Sequence, residues 1–164
     1  STNAVSMPDL RELITGLGHT AVRTHLRSGN VVLSADLPPD ELAARVEDAI
    51  AGELGLKVPA AVRTRDELAE IVAGNPIPGA VADPARFLVM FLSAEPDPVA
   101  VRAVDPDDHH PDQFAVRGRE LYQWSPNGVS KTKLTTSFWE QRLNVTATAR
   151  NWNTVTKLLA MLDD

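Results

Sequence analysis

Phe87-Leu88-Val89-Met90-Phe91-Leu92 is an unbroken run of six apolar residues following the Asp83-Pro84 turn. It has strand length and no polar alternation, so it predicts a central strand with little exposed face, the anchor of the second half of the chain. Downstream, a short helix is expected around Val99 to Val104. Phe114 and Val116 then face Leu121, Tyr122 and Trp124 across Gly118, the pattern of a hairpin. Two helices follow. One contains Leu134, Phe138 and Leu143; the other carries Trp152, Val155, Leu159 and Leu162 on one face. The second half therefore reads βαββα plus a helix.

Upstream the pattern repeats. Leu10, Leu13, Ile14 and Leu17 recur at helical spacing, with Ser6 and Asp9 as a capping pair and Gly18 as the stop. Val22, Thr24 and Leu26 alternate with Arg23, His25 and Arg27 before Ser28-Gly29-Asn30 and Val31-Val32-Leu33, a β-hairpin. Leu42, Val46, Ile50 and Leu54 mark a second helix, opened by Pro38-Pro39 and ended at Gly55. A strand is expected near Val58 to Val62, at an edge because Pro59 has no N–H to give a ladder. Thr64 to Glu67 form a capping box for a short helix with Leu68, Ile71 and Val72. The order matches a βαββαβ unit without its first strand. The fold class expected is thus α+β: two tandem ferredoxin-like subdomains, the first lacking its N-terminal strand, with an extra C-terminal helix. Residues 1–75 would form the first, the Pro/Gly-rich stretch 76–85 a connector, and 86–164 the second.

The 164 residues suffice to bury roughly 70% of the unfolded surface. A hydrophobic content of 43% with 23% charged residues is that of a globular chain, and no stretch reaches the length of a membrane-spanning helix. With no cysteine, disulfides, thiolate nucleophiles and cysteine-held metals are excluded. Ser1-Thr2-Asn3-Ala4 has neither an initiator methionine nor a secretory layout and reads as an added extension or a cut end; the expected location is cytoplasmic. The net charge of -6 is uneven: residues 1–112 hold 9 basic against 18 acidic side chains, and residues 113–164 hold 7 against 4. A basic C-terminal half favours anionic partners there.

Three segments together, Arg27-Ser28-Gly29-Asn30-Val31-Val32, Arg117-Gly118-Arg119-Glu120-Leu121-Tyr122 and Ala149-Arg150-Asn151-Trp152-Asn153-Thr154-Val155, resemble the bacterial domain of unknown function 1697 family. The resemblance runs almost end to end. It implies the same tandem α+β architecture, and it brings no established activity, substrate or cofactor.

Arg150, Asn151, Trp152 and Asn153 stand where the last helix is expected to start. Free N–H groups there, with an arginine and side-chain amides, suit a phosphate or carboxylate, and the indole offers a stacking surface. The ordinary reading is that Asn151 caps the helix, Trp152 enters the core and Arg150 pairs with an acid. Arg27, Ser28, Gly29 and Asn30 form a tight turn with a guanidinium beside it, a second anion candidate or simply a hairpin turn. Lys131 and Lys133 lie in the loop Ser125–Lys133, which lacks the glycine spacing of a nucleotide-binding loop and also reads as a flexible basic loop. The acidic run Asp105, Asp107, Asp108, His109, His110 and Asp112 fits no metal-binding spacing and reads as a solvated loop; no cofactor is expected. The leading expectation is a binding module for an anionic small molecule or nucleic-acid segment. An enzyme acting on a small phosphorylated or carboxylated substrate, and a homodimer paired through open sheet edges, are the alternatives.

Overall fold

The computed structural model describes residues 5–25 and 29–163. It is a mixed α+β chain with antiparallel sheets, and it divides into two compact units. Unit 1 comprises the residues up to Arg65 together with those from Leu158 onward; unit 2 comprises Asp66–Lys157. The expected connector at 76–85 is taken up by short 3-10 turns at Pro78–Ala82 and Pro84–Arg86.

In unit 1, helix α1 spans Met7–Gly16. Ser6 starts it by accepting a hydrogen bond from the Asp9 N–H at 3.2 Å, and its stripe buries Leu10, Leu13 and Ile14. Leu17, the expected fourth member, is 38% exposed because the helix has already ended. Strands β1 (Thr20–His25) and β2 (Asn30–Ser34) pair antiparallel, with the register interrupted between Thr20 and Arg23. Ala21 takes φ +52° at this irregularity, a left-handed conformation that costs a non-glycine residue roughly 1 kcal/mol or more. Helix α2 (Pro39–Leu54) buries Leu42, Val46 and Ile50 against α1 and closes at Gly55 with φ +67°.

The strand expected near Val58 to Val62 does not form; those residues carry no strand pairing. Val58, Ala60 and Val62 still pack on the α1/α2 core while Lys57, Pro59 and Ala61 are exposed, so the two-residue alternation of a strand survives without its hydrogen bonds. Pro59 has no donor, and the Ala60 N–H is taken by Glu47 Oε1 at 3.2 Å.

Unit 2 begins with α3 (Arg65–Ala73), whose first residue belongs to unit 1, and then runs β3 (Phe87–Leu92), α4 (Pro98–Arg102), β4 (Gln113–Arg117), β5 (Glu120–Trp124), α5 (Thr136–Leu143) and β6 (Ala147–Asn151). Its four strands lie in the order β4-β5-β3-β6, all neighbours antiparallel, with the apolar run in the middle. A two-residue turn with Gly118 at φ +59° links β4 to β5. On one face Met90, Leu92 and Leu121 pack with Val104, Leu134, Trp139 and Leu143. On the other, Phe87 stacks on Tyr122 and Trp152, and the Tyr122 hydroxyl donates to the Ile71 carbonyl of α3 at 2.7 Å.

Helix α6 (Trp152–Leu162) follows β6 with no intervening residue. This corrects the expectation that Arg150 and Asn151 stand at the start of the last helix: both belong to a strand, paired with Val89 and Leu88. The stretch Thr146-Ala147-Thr148-Ala149 has small side chains and too little hydrophobic contrast to advertise its alternation. Among the described residues, no helix is long and apolar enough to cross a membrane.

Candidate functional site

The start of α6 is built as a cap. Asn151, the last residue of β6, turns its side-chain oxygen onto the Thr154 N–H at 3.0 Å, and Trp152 is 6% exposed against the Phe87 ring, centroids 4.9 Å apart. Arg150 lies half-buried on the strand and donates to the Ala149 carbonyl at 2.7 Å. Burial lowers its pKa from the usual arginine range. Asn153 alone of the four faces solvent. An anion approaching this terminus meets a donor that Asn151 already occupies. Asn151→Ala is therefore expected to cost about 1 kcal/mol of stability, read as a lower denaturant midpoint at unchanged slope.

Of the hairpin candidates, Arg27 and Ser28 lie outside the described residues. Gly29 has φ +83°, and Asn30, 5% exposed, donates from its amide to the His25 carbonyl at 3.1 Å, closing the hairpin on itself. These side chains do the work of a turn.

The loop Ser125–Lys133 is held by a buried polar network. Asp112 Oδ2 accepts from Ser125 Oγ at 3.3 Å and from Thr132 Oγ1, whose oxygen in turn accepts from the Leu134 N–H at 3.0 Å. Gln123, fully buried, donates to the Leu134 carbonyl at 2.9 Å and accepts from the Trp139 indole at 2.8 Å. With Thr132 tied inward, Lys131 and Lys133 are both exposed on the outside of the loop. The acidic run serves its own backbone: Asp105 accepts from the Asp107 N–H at 2.9 Å. Among the described residues no group of three His, Asp or Glu side chains is placed to hold a metal ion.

A sheet edge of the kind expected from the sequence lies in unit 1. Among the described residues, strand β2 pairs only with β1, in a sheet of two strands. Val31 and Leu33 of β2 pack on the same α1/α2 core as Val58, Ala60 and Val62, so both segments border one apolar layer, and no strand of the described residues joins them. An open depression of about 630 Å³ also runs along Met7, Arg11, Glu12, Thr15 and Thr24, lined by one guanidinium and one carboxylate.

The family model for proteins of unknown function DUF1697 matches residues 1–122. The chain belongs to this family. Membership in DUF1697 assigns no activity. No curated protein matches the chain. Among solved structures it is similar to the conserved bacterial protein SP0830 from Streptococcus pneumoniae, at 20% identity over 99% of this chain and 91% of that one, with a TM-score of 0.77. At that identity the likeness is one of fold.

Proposed function

We propose that this DUF1697 protein is a binding module made of two ferredoxin-like units, and that the edge of β2 left unpaired among the described residues is its binding element. The observation that carries the reading is that, among the described residues, β2 pairs with β1 alone while the strand-patterned segment 58–62 packs on the same core. In support, unit 2 has the element order βαββαβ with its first strand at the centre of the sheet, and the described residues of unit 1 follow the same order from its first helix onward. An edge strand that presents free N–H and C=O groups beside buried valines is a template for another strand.

Amide exchange followed residue by residue tests this. The amides of Val31–Ser34 that point away from β1 are expected to exchange at least tenfold faster than those of β3, which is paired on both sides. Protection equal to β3 at every protein concentration would defeat the reading.

A second reading is favoured by one observation, the outward placement of Lys131 and Lys133 by the pinned Thr132. It keeps the anion-binding module and moves its centre from the α6 terminus to this loop. Salt-sensitive binding of a short RNA, lost in the double variant Lys131→Ala, Lys133→Ala, would support it; salt-insensitive or absent binding would remove it.

A further inference from the structure

Seven asparagines occur in the chain, and a single one of them, Asn127, is followed by glycine. The pair sits at the crown of the loop 125–133, in a turn closed by the Gly128 N–H on the Ser125 carbonyl at 2.9 Å. Asn127 is exposed, Gly128 has φ +109°, and the space where a side chain would stand on Gly128 is open. The feet of the loop are fixed, since Ser125 Oγ and Thr132 Oγ1 both donate to Asp112 Oδ2. The loop is thus anchored at both ends, with an exposed Asn-Gly pair between the anchors.

We propose that Asn127-Gly128 is a covalent modification site of the folded protein, where water converts the neutral Asn127 amide to a carboxylate. The Gly128 nitrogen loses its proton to hydroxide and forms a bond to Cγ of Asn127. The Cγ–Nδ2 bond breaks, and ammonia leaves with a proton taken from water. Water then adds to one carbonyl of the resulting cyclic imide. Breaking its bond from nitrogen to Cγ gives aspartate; breaking its bond from nitrogen to the main-chain carbonyl carbon gives isoaspartate. Water is the only co-reactant, and nothing is oxidised or reduced. The other asparagines of the described residues are placed against this step. Asn75 precedes Pro76, whose nitrogen carries no proton to lose. Asn30 is buried with its amide on the His25 carbonyl, and Asn151 holds the Thr154 N–H. Asn144 precedes the branched Val145, and Asn153 lies inside α6. Each conversion at Asn127 has a consequence for the loop. Residues 125–133 contain Lys131, Lys133 and no acid, so a carboxylate there cancels one of two positive charges.

The test incubates the folded chain at neutral and mildly alkaline pH and follows isoelectric focusing and peptide mass mapping with time. A more acidic band is expected, carrying both aspartate and isoaspartate at position 127. It should form at least tenfold faster than any change at Asn30, Asn75, Asn144, Asn151 or Asn153, and faster as pH rises, because the nucleophile must shed a proton. Asn127→Gln should not form the band. A synthetic peptide of residues 124–133 sets the upper limit of rate, since the turn bond from Gly128 to Ser125 must open before attack in the folded chain. Urea added below the unfolding transition should leave the rate unchanged. No carboxylate at position 127 after ten half-lives of the peptide would overturn the proposal, as would prior reaction at another asparagine. A rate that climbs with the unfolded fraction would also overturn it, because the reaction would then belong to the unfolded chain.

Discussion

Replacing Trp139 by alanine is expected to destabilise the protein by about 4 kcal/mol or more, the largest loss from any single side chain of unit 2. Trp139 is fully buried and meets Phe114 and Phe138 edge-on, with centroids 4.9 and 5.2 Å away. Truncating a buried tryptophan costs about 3–5 kcal/mol in lost contacts and cavity. Here the indole also supplies the hydrogen bond to Gln123 Oε1, and an amide oxygen left unsatisfied in the core adds about 1–3 kcal/mol. Trp139→Phe separates the two contributions, since it restores most of the volume without the donor and should recover roughly half the loss. Urea unfolding followed by circular dichroism measures both variants. A Trp139→Ala loss below about 2 kcal/mol would mean that the Asp112, Gln123 and Thr132 network reorganises around the gap.

Stability should fall by roughly 3 kcal/mol between pH 10 and pH 12 because of one phenol. Burial, and next the charge of Glu120, push the Tyr122 pKa up to about 12, with Arg117 opposing. The ionised form is thus disfavoured in the native state. Below pH 10 the phenol is protonated whether the chain is folded or not, and the full stability is present. From pH 10 upward an unfolded phenol ionises while the native one does not, so the unfolded state gains until pH passes 12. The chain contains a single tyrosine, so tyrosinate absorbance reports this group alone. A native midpoint near 10 would refute the expectation. Tyr122→Phe should abolish this drop in stability, while itself costing about 1–3 kcal/mol through the lost bond to the Ile71 carbonyl.

Where burial and local periodicity agree, sequence reading located the elements closely. Leu10, Leu13 and Ile14, then Leu42, Val46 and Ile50, are the buried faces of α1 and α2, and Gly55 and Gly118 stand at positive φ where their elements end. The run 87–92 is the central strand. It erred where an outcome depends on a distant partner. Val58 to Val62 has a strand's alternation, yet a strand exists only when another lends hydrogen bonds. Arg150 and Asn151 look like a helix start because Asn151 does cap α6, but it does so from the end of β6, held there by β3. Trp139 was invisible as a core residue because Phe138 beside it has the same composition signal and is only half-buried. The candidate anion residues were chosen by type. Their hydrogen bonds to Thr154 and to the His25 carbonyl are local devices that a string of letters cannot tell from ligand contacts.

The membership of unit 1 has a consequence for how the protein is made. Its residues come from two stretches of the polypeptide that unit 2 separates: Arg23 donates to the Met161 carbonyl, and Arg65 pairs with Asp163 at 2.7 Å, so the closing turns of α6 belong with the β1-β2 hairpin. A ribosome delivers Asp66–Lys157 before it delivers the second stretch. The stretch up to Arg65 must therefore stay incomplete while Asp66–Lys157 is made, and unit 2 can be finished before unit 1.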